Sequence, residues 1–398
     1  MKPIYVTKPY LPPFDELVQQ LESIYDSSIL TNNGPSLISL EKELKEYLDC
    51  NNITVFNNGT IALICALKLL CPTPGKIITT PFTFSATAHS IIWSSHTPVF
   101  CDIKSDYTLD PEIVESVIDK DTVGILPVHV FGNLCDTQKF EELGKKYNIP
   151  IIYDGAHVFG IKSNDKSAVT SGDACMLSFH ATKLYHTVEG GGVILKDKSL
   201  LEKLHQIRNF GSIDGRTVLV PGLNGKLSEF HAIVGLLNLK IVSKEIAKRK
   251  ILWELYCELL ADVKEITLPN KPADNIEYNY QYFVISSPER DWISATLHRY
   301  DIYPRNYFYP LCSEYPCYTQ YSKFDLLPKA EEASKRALAL PLYGNLTPED
   351  VIRICVCIKS SWTRKCVLEA WEEPIEMNET ADIVAKAIHT YKQRNIKL

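Results

Sequence analysis

The sequence predicts an α/β protein in which a large, mostly parallel sheet is followed by a smaller C-terminal α+β domain. Short β-rich runs alternate with amphipathic stretches between about residues 50 and 195. A long helical stretch follows at 228–263, and the remainder mixes a strand-like run with helices and tyrosine-rich loops. Alternation of strands and helices is typical of a parallel sheet covered by helices.

Seven runs supply the strands of this sheet. In chain order they are residues 53–56, 76–80, 98–103, 123–128, 149–154, 175–179 and 192–196. Amphipathic segments such as 60–70 and 137–147 lie between them and are expected to be helices. Because the seven runs form one uninterrupted series, they predict a single seven-stranded α/β sheet.

The helical stretch 228–263 is expected to bridge into a second domain. We therefore expect a large domain over residues 1–250, which includes an N-terminal arm, and a smaller domain over residues 251–398.

Composition excludes several classes of protein. Of the 398 residues, 23% are charged and 45% are hydrophobic, which is ordinary for a globular protein, and the formal net charge of −6 gives no electrostatic footprint for nucleic acid. No apolar run approaches the roughly 20 residues of a membrane span. The 12 cysteines are scattered and match no zinc spacing, so we expect free thiols, no metal and a cytoplasmic protein.

Ligands of such sheets bind in crevices at the carboxyl ends of the strands, so the residues after each strand are the candidates for a site. Asn58, Gly59 and Thr60 follow the first run and open a helix. Free N–H groups at a helix start favour an anion such as a phosphate. The alternative is an ordinary helix cap by Asn58 or Thr60, and it stays open at this stage.

Asp154 ends the strand 149–154, and His157 follows three residues later. An Asp at a strand end most often forms a turn or a cap. The functional alternative is a carboxylate held for a buried cation, because an unpaired carboxylate would be costly there. His157 could reach the same ligand.

Ser178 ends the next strand, and Lys183 follows in a loop that leads to three consecutive glycines at 190–192. Most lysines are solvated surface charges. A lysine that is partly desolvated at a crevice has a lowered pKa and can act as an amine nucleophile toward an aldehyde. An aldehyde cofactor with a phosphate group and a pyridine nitrogen would use all of these positions. Lys183 would meet its aldehyde, residues 59–60 and Ser178 its phosphate, and Asp154 its pyridine nitrogen.

These motifs resemble one family. The segments NNGTIALICAL, TTPFTFSATAHSI, PVHVFGNLCD, YDGAHVFG, SFHATKLYHTVEGGG and GLNGKLSEFHAIVG occur in this order. They are similar to those of the DegT/DnrJ/EryC1/StrS sugar-nucleotide aminotransferases, and the resemblance extends from residue 29 to residue 311. It is most specific between 55 and 235. Within the family the chain is most similar to the enzymes that form TDP-viosamine, TDP-4-amino-4,6-dideoxyglucose.

The resemblance implies fold type I, the aspartate-aminotransferase-like fold, with pyridoxal 5′-phosphate as cofactor. Lys183 matches the Schiff-base lysine, and Asp154 matches the aspartate on the pyridine nitrogen. The other implied cofactor-binding residues are Gly59, Thr60 and Ser178 at the phosphate, Phe84 stacked on the ring, His157 near the ring hydroxyl, and Asn224, which reaches the phosphate from a partner subunit. Two residues depart from the family: Lys226 stands where arginine is common, and Cys312 stands where many members have histidine.

The implied reaction moves the amino group of L-glutamate onto the 4-keto carbon of dTDP-4-dehydro-6-deoxy-D-glucose, for glycan biosynthesis. A homodimer with shared active sites is implied as well. Two alternatives remain open from the sequence. One is amination of a 3-keto sugar nucleotide, and the other is a regulatory protein without catalysis on the same scaffold.

Overall fold

The computed structural model describes residues 2–318, 320, 321 and 327–370. The strands are β1 Ile4–Tyr5, β2 Ile53–Phe56, β3 Lys76–Thr79, β4 Thr97–Phe100, β5 Thr122–Leu126, β6 Ile152–Asp154, β7 Lys162–Ser163, β8 Lys166–Ser167, β9 Ala174–Ser178, β10 Gly191–Leu195, β11 Ile276–Glu277, β12 Phe283–Ser286, β13 Ile302–Tyr303 and β14 Ala337–Leu340. The α-helices are α1 Phe14–Ser27, α2 Pro35–Leu48, α3 Gly59–Leu70, α4 Ser85–Trp93, α5 Pro111–Val117, α6 Thr137–Tyr147, α7 Leu201–Arg208, α8 Glu229–Leu260, α9 Arg290–Arg299, α10 Pro328–Arg336 and α11 Pro348–Ala370.

The seven predicted strands form one sheet with the order β2-β10-β9-β6-β5-β3-β4. Its two halves are joined by parallel bridges from Ile125 to Ile151 and from Val128 to Asp154. β10 is antiparallel to both of its neighbours, and the other six strands share one direction. The prediction of a mostly parallel, seven-stranded sheet is confirmed.

Local sequence signals set the helix ends between these strands, as α6 illustrates. The Asp136 side chain caps its first turn by accepting a hydrogen bond from the Lys139 N–H at 3.0 Å. Asn148 ends the helix in the left-handed conformation that asparagine tolerates. Between these ends, Phe140 and Leu143 are buried against the sheet core. Helices held in this way cover the sheet and fix the positions of its strand ends.

A second hydrophobic core lies in the C-terminal part of the chain. It packs around the antiparallel pair β12 and β14, with apolar residues from α8, α9 and α11. Ile4 of β1, which pairs with β13, also belongs to this core. α8 contributes Val242 to the sheet core and Leu252 to the C-terminal core, so it runs through the expected boundary at residue 250. The division into two domains at that residue stays a prediction, and residues 371–398 of the second lie outside the described residues.

None of the helices within the described ranges has the length and apolar character needed to cross a lipid bilayer.

Candidate active site

A cavity of about 260 Å³ opens where α3 begins and where β6 and β9 end. The crevice rule for α/β sheets predicts a site at this edge. Seven of the eight sequence-predicted site residues line the cavity: Gly59, Thr60, Phe84, Asp154, His157, Ser178 and Lys183. The eighth, Asn224, does not line it.

The first turn of α3 forms one end of the cavity. Asn58 caps the helix, because its side-chain oxygen accepts a hydrogen bond from the Ile61 N–H at 2.8 Å. The N–H groups of Gly59 and Thr60 lie in the first turn of α3 and have no intrahelical acceptor. Ser178 lies beside them, since a Cβ built on Gly59 would stand 3.2 Å from the Ser178 Cβ. The helix cap by Asn58 thus leaves the N–H groups of Gly59 and Thr60 available, and a phosphate fits this end.

Asp154 lies at the floor of the cavity and is buried. Its Oδ2 accepts a hydrogen bond from the Thr87 hydroxyl at 2.7 Å, and its Oδ1 accepts one from the Ala156 N–H at 3.1 Å. Burial raises the pKa of this carboxyl above its usual range, and the hydrogen bond from Thr87 opposes that shift. Because a buried carboxylate requires a positive partner, this floor fits the protonated nitrogen of a pyridine ring.

His157 is buried and neutral, because burial holds its pKa well below the usual range. Its Nδ1 accepts a hydrogen bond from the Phe131 N–H at 3.0 Å. The proton of the neutral ring therefore lies on Nε2, which stands 3.4 Å from the Tyr282 hydroxyl oxygen. His157 is thus held as a hydrogen-bond donor at the cavity.

Lys183 follows β9 in a loop, where its backbone N–H donates to the His180 carbonyl at 2.9 Å. Its side chain is half-buried and faces the cavity. Burial lowers the pKa of its amine, while the Asp154 carboxylate acts in the opposite direction. A lowered pKa leaves more of the amine unprotonated at neutral pH, which a nucleophile and proton carrier requires.

Phe84 immediately precedes α4 and lines the cavity, and 57% of its surface is exposed. An aromatic ring left open at a pocket offers a face on which a planar ligand can stack. The ring therefore suits the stacking position that the family resemblance implies.

Several residues around the cavity were not predicted from the sequence. They are Thr83 and Thr87 near α4 and Tyr282, Arg305, Tyr307 and Phe308 from the C-terminal part. The spacing of Thr83 and Thr87 by four residues could have indicated that their side chains come close together where a helix begins. The four C-terminal residues had no local signal, because only the tertiary fold brings them to the sheet edge.

Asn224 and the two departures from the family pattern lie around the cavity rather than in it. The exposed Asn224 accepts a hydrogen bond from Lys226 Nζ at 2.8 Å, and its carbonyl accepts one from Asn57 Nδ2 at 3.3 Å. Cys312 is buried, and its Sγ donates to the Thr83 carbonyl at 3.2 Å. Lys226 is thus tied to Asn224, and Cys312 supports the segment before α4.

Together these residues fit pyridoxal 5′-phosphate. The first turn of α3 and Ser178 suit its phosphate, Asp154 its ring nitrogen, and Lys183 its aldehyde carbon. Within the ranges described above, no cluster of three or more His, Cys, Asp or Glu residues could hold a metal ion.

Comparisons with known proteins agree with this geometry. The DegT/DnrJ/EryC1/StrS aminotransferase family matches residues 14–359. The chain is 39% identical to a dTDP-4-amino-4,6-dideoxy-D-glucose transaminase of Shigella dysenteriae, over 87% of this chain and 96% of that protein. The Escherichia coli protein of the same name is also 39% identical, over 89% and 97%. A pleiotropic regulatory protein of Geobacillus stearothermophilus is 31% identical, over 84% and 91%.

Solved structures are similar over most of the chain. The structure of DesI in the presence of its TDP-sugar product superposes with a TM-score of 0.88 at 28% identity, over 93% of this chain and 95% of that one. Helicobacter pylori PseC, an aminotransferase in the biosynthesis of pseudaminic acid, gives 0.84 at 26% identity, over 91% and 100%. The fold is therefore fold type I, and the enzymes that share it with this chain are pyridoxal-phosphate aminotransferases. On the match over residues 14–359 and the 39% identity, this chain belongs to the DegT/DnrJ/EryC1/StrS aminotransferase family.

Proposed function

We propose that this enzyme transfers the amino group of L-glutamate to C4 of dTDP-4-dehydro-6-deoxy-D-glucose and forms dTDP-4-amino-4,6-dideoxy-D-glucose. The observation that carries the proposal is a single cavity lined by Lys183, Asp154 and the first turn of α3. Two 39% identical relatives named as transaminases of this sugar nucleotide support the substrate.

Bound pyridoxal phosphate supplies an electron sink for the negative charge that remains when a proton leaves the carbon bearing nitrogen. In the proposal, the N–H groups of Gly59 and Thr60 and the Ser178 hydroxyl bind the phosphate. Asp154 accepts the hydrogen bond of the protonated ring nitrogen, and His157 donates from Nε2 to the ring oxygen.

Lys183 performs the proton transfers. Its Nζ, whose pKa burial lowers, would hold the aldehyde carbon of the cofactor. Once an amino donor has replaced it there, the freed Nζ would be the base that takes the α-proton of glutamate and the acid that returns a proton to the cofactor. Water would then replace the nitrogen on the α-carbon, so that 2-oxoglutarate leaves and the amino group stays with the cofactor. The reverse sequence would place that nitrogen on the keto carbon of the sugar and release water.

Shared active sites in a homodimer are part of the proposal. Asn224 is exposed and stands outside the cavity of its own subunit. Large apolar side chains are also exposed in α1 and at the start of α8, among them Phe14, Tyr25 and Phe230. A two-fold interface would cover such residues and would let each subunit offer Asn224 to the other. A cytoplasmic site of action is also proposed, since the cysteines whose side chains the structure describes are free thiols.

Two alternatives differ from this proposal. Amination at C3 of a keto sugar nucleotide would use the same cavity and the same residues. A regulatory role is favoured by the 31% identity to a pleiotropic regulatory protein, but a regulator without catalysis has no need for Lys183, Asp154 and Ser178 together.

A two-stage experiment tests the proposed function. The purified enzyme is loaded with pyridoxal phosphate and mixed with L-glutamate alone, and we expect one equivalent of 2-oxoglutarate per site with a change in cofactor absorbance. Adding dTDP-4-dehydro-6-deoxy-D-glucose should then restore the original absorbance. If glutamate releases no 2-oxoglutarate, a regulatory protein is the better account. If glutamate reacts and the sugar does not restore the absorbance, the proposed substrate is wrong.

A further inference from the structure

Two buried threonine hydroxyls connect the cavity wall to the Asp154 carboxylate. Thr83 Oγ1 lies 2.9 Å from Thr87 Oγ1, and Thr87 Oγ1 lies 2.7 Å from Asp154 Oδ2. Thr87 is fully buried and Thr83 almost fully, so water does not compete for these hydrogen bonds. The three groups form one continuous chain.

The direction of this chain depends on the protonation of Asp154. A threonine hydroxyl has a single proton, and an ionised carboxylate can only accept. With Asp154 ionised, Thr87 therefore donates to Asp154 and must accept from Thr83. With Asp154 protonated, the carboxyl needs an acceptor for its own proton, and the donation from Thr87 loses its charge assistance. The donation from Thr87 to Asp154 therefore favours the ionised carboxylate.

α4 holds the chain in place. Thr83 precedes α4 and Thr87 lies in its first turn, four residues later. Phe84, whose ring faces the cavity, lies between them in sequence. The start of α4 therefore holds both the aromatic ring at the cavity and Thr87, which donates to Asp154. The Cys312 Sγ donates to the Thr83 carbonyl at 3.2 Å and fixes this segment from the C-terminal side.

Few other groups stabilise the carboxylate. The Ala156 N–H donates to the other oxygen, Oδ1, at 3.1 Å. Burial raises the pKa of Asp154, the hydrogen bond from Thr87 is the largest effect that lowers it, and the Lys183 charge is a weaker one. Removing the Thr87 hydroxyl would thus leave a more basic carboxyl, supported by one backbone hydrogen bond.

We propose that Thr87 is a positioning residue that keeps the proton shared by Asp154 and the cofactor on the ring nitrogen. This inference rests on the proposed function, because it assigns the ring nitrogen to Asp154. When the proton lies on the nitrogen, the ring is a cation paired with the Asp154 carboxylate. If it moves to Asp154, an O–H bond forms as the N–H bond breaks, and a neutral ring remains. A neutral ring is the weaker electron sink.

The test uses Thr87→Val, which removes the hydroxyl and keeps the branched shape, and Thr87→Ser, which restores a hydroxyl. Ser94→Ala is the matched control, because it deletes a buried hydroxyl of the same helix region that donates to the nearby Ile91 carbonyl at 2.9 Å and, among the residues the structure describes, to no other acceptor. Each protein is loaded with pyridoxal phosphate labelled with ¹⁵N in the ring. The ring-nitrogen resonance reports protonation directly and needs no turnover.

We expect the resonance of a protonated ring in the wild type, in Thr87→Ser and in Ser94→Ala, and a shift toward the unprotonated value in Thr87→Val. The rate of the glutamate half-reaction should fall roughly 10- to 100-fold in Thr87→Val, the range that loss of one hydrogen bond to an ionised group implies. The glutamate concentration at half-saturation should change little, since Thr87 does not touch the donor.

An unchanged resonance in Thr87→Val overturns the inference, as does a shift of equal size in Ser94→Ala. If Thr87→Val does not fold, as judged by circular dichroism, Thr87→Ala serves as the second variant with the same expected shift. Failure of the proposed sugar specificity is distinguishable, because it would abolish turnover of the sugar nucleotide in the wild type and leave the ring-nitrogen resonances unaffected.

Discussion

Replacing Gly191 by alanine should loosen the phosphate end of the cavity. Gly191 begins β10 and pairs with Phe56 of β2 and Ser178 of β9, the two strand ends beside that site. A Cβ on Gly191 would stand 2.6 Å from the Gly59 nitrogen and 2.7 Å from the Asn58 carbonyl carbon and oxygen. These are backbone atoms at the start of α3, and they cannot rotate away.

The size of the effect follows from these distances. They fall 0.7–0.8 Å short of the 3.4 Å at which ordinary contact begins, so the start of α3 must move by a similar amount. Overpacking of this kind costs about 1–3 kcal/mol of folding free energy. A displacement of that size takes a 2.9 Å hydrogen bond beyond its normal range. Weakening one charge-assisted bond to the phosphate should lower cofactor affinity roughly 10- to 100-fold.

Gly192→Ala is the matched control in the next position of the same buried strand. Its Cβ would meet the ring of Phe179 at 3.2 and 3.3 Å and Ile53 Cδ1 at 3.4 Å, and these side-chain atoms can shift by a few tenths of an ångström. We expect its cofactor affinity to stay within about threefold of the wild type, because the added methyl group meets side chains and not the backbone at the start of α3.

Both variants are stripped of cofactor and titrated with pyridoxal phosphate, with binding followed by quenching of intrinsic fluorescence. Their melting temperatures without cofactor are measured in parallel. Wild-type affinity in Gly191→Ala would refute the reasoning, and so would equal losses of affinity in the two variants.

Three further predictions concern the proposed site residues. Lys183→Ala should lose the absorbance band of the lysine-bound cofactor and all turnover while it still binds pyridoxamine phosphate, and near-normal turnover would contradict the assigned role. Asp154→Asn should bind cofactor but slow the glutamate half-reaction by orders of magnitude, because a neutral ring is a poor electron sink; an unchanged rate in stopped-flow absorbance would make Asp154 structural only. Mixed dimers of Lys183→Ala and Asn224→Ala should regain part of the activity that each homodimer lacks, because one site carries both lesions and the other carries none. The last result requires that Asn224→Ala alone is strongly impaired, and no recovery in dimers proven to be mixed would exclude sharing through Asn224.

The sheet could be predicted because its strands are short β-rich runs separated by helices. The direction of β10 within the sheet was harder to predict from the sequence. The segment from Ser178 to Gly191 contains no α-helix, so it cannot provide the crossover that a parallel neighbour requires. A shorter connection is compatible with an antiparallel neighbour, and β10 pairs with β9 in this way.

The site could be predicted where it depends on strand ends. Asp154, Ser178 and Gly59 each follow or end a strand, and the topology brings such positions to one edge. Thr87 and Tyr307 were not predicted for different reasons. Thr87 acts through its contact with Asp154, 67 residues away in sequence, and Tyr307 reaches the cavity only through packing of the C-terminal part.

The position of the transferred nitrogen is the measurement that tests the proposed reaction most directly. The enzyme is incubated with dTDP-4-dehydro-6-deoxy-D-glucose and ¹⁵N-labelled L-glutamate, and the purified product is analysed by ¹⁵N-edited NMR. The proposal predicts that the label is bonded to C4 of the sugar and that Lys183→Ala forms no labelled product. A label at C3, or no labelled sugar nucleotide from the wild-type enzyme, would contradict it.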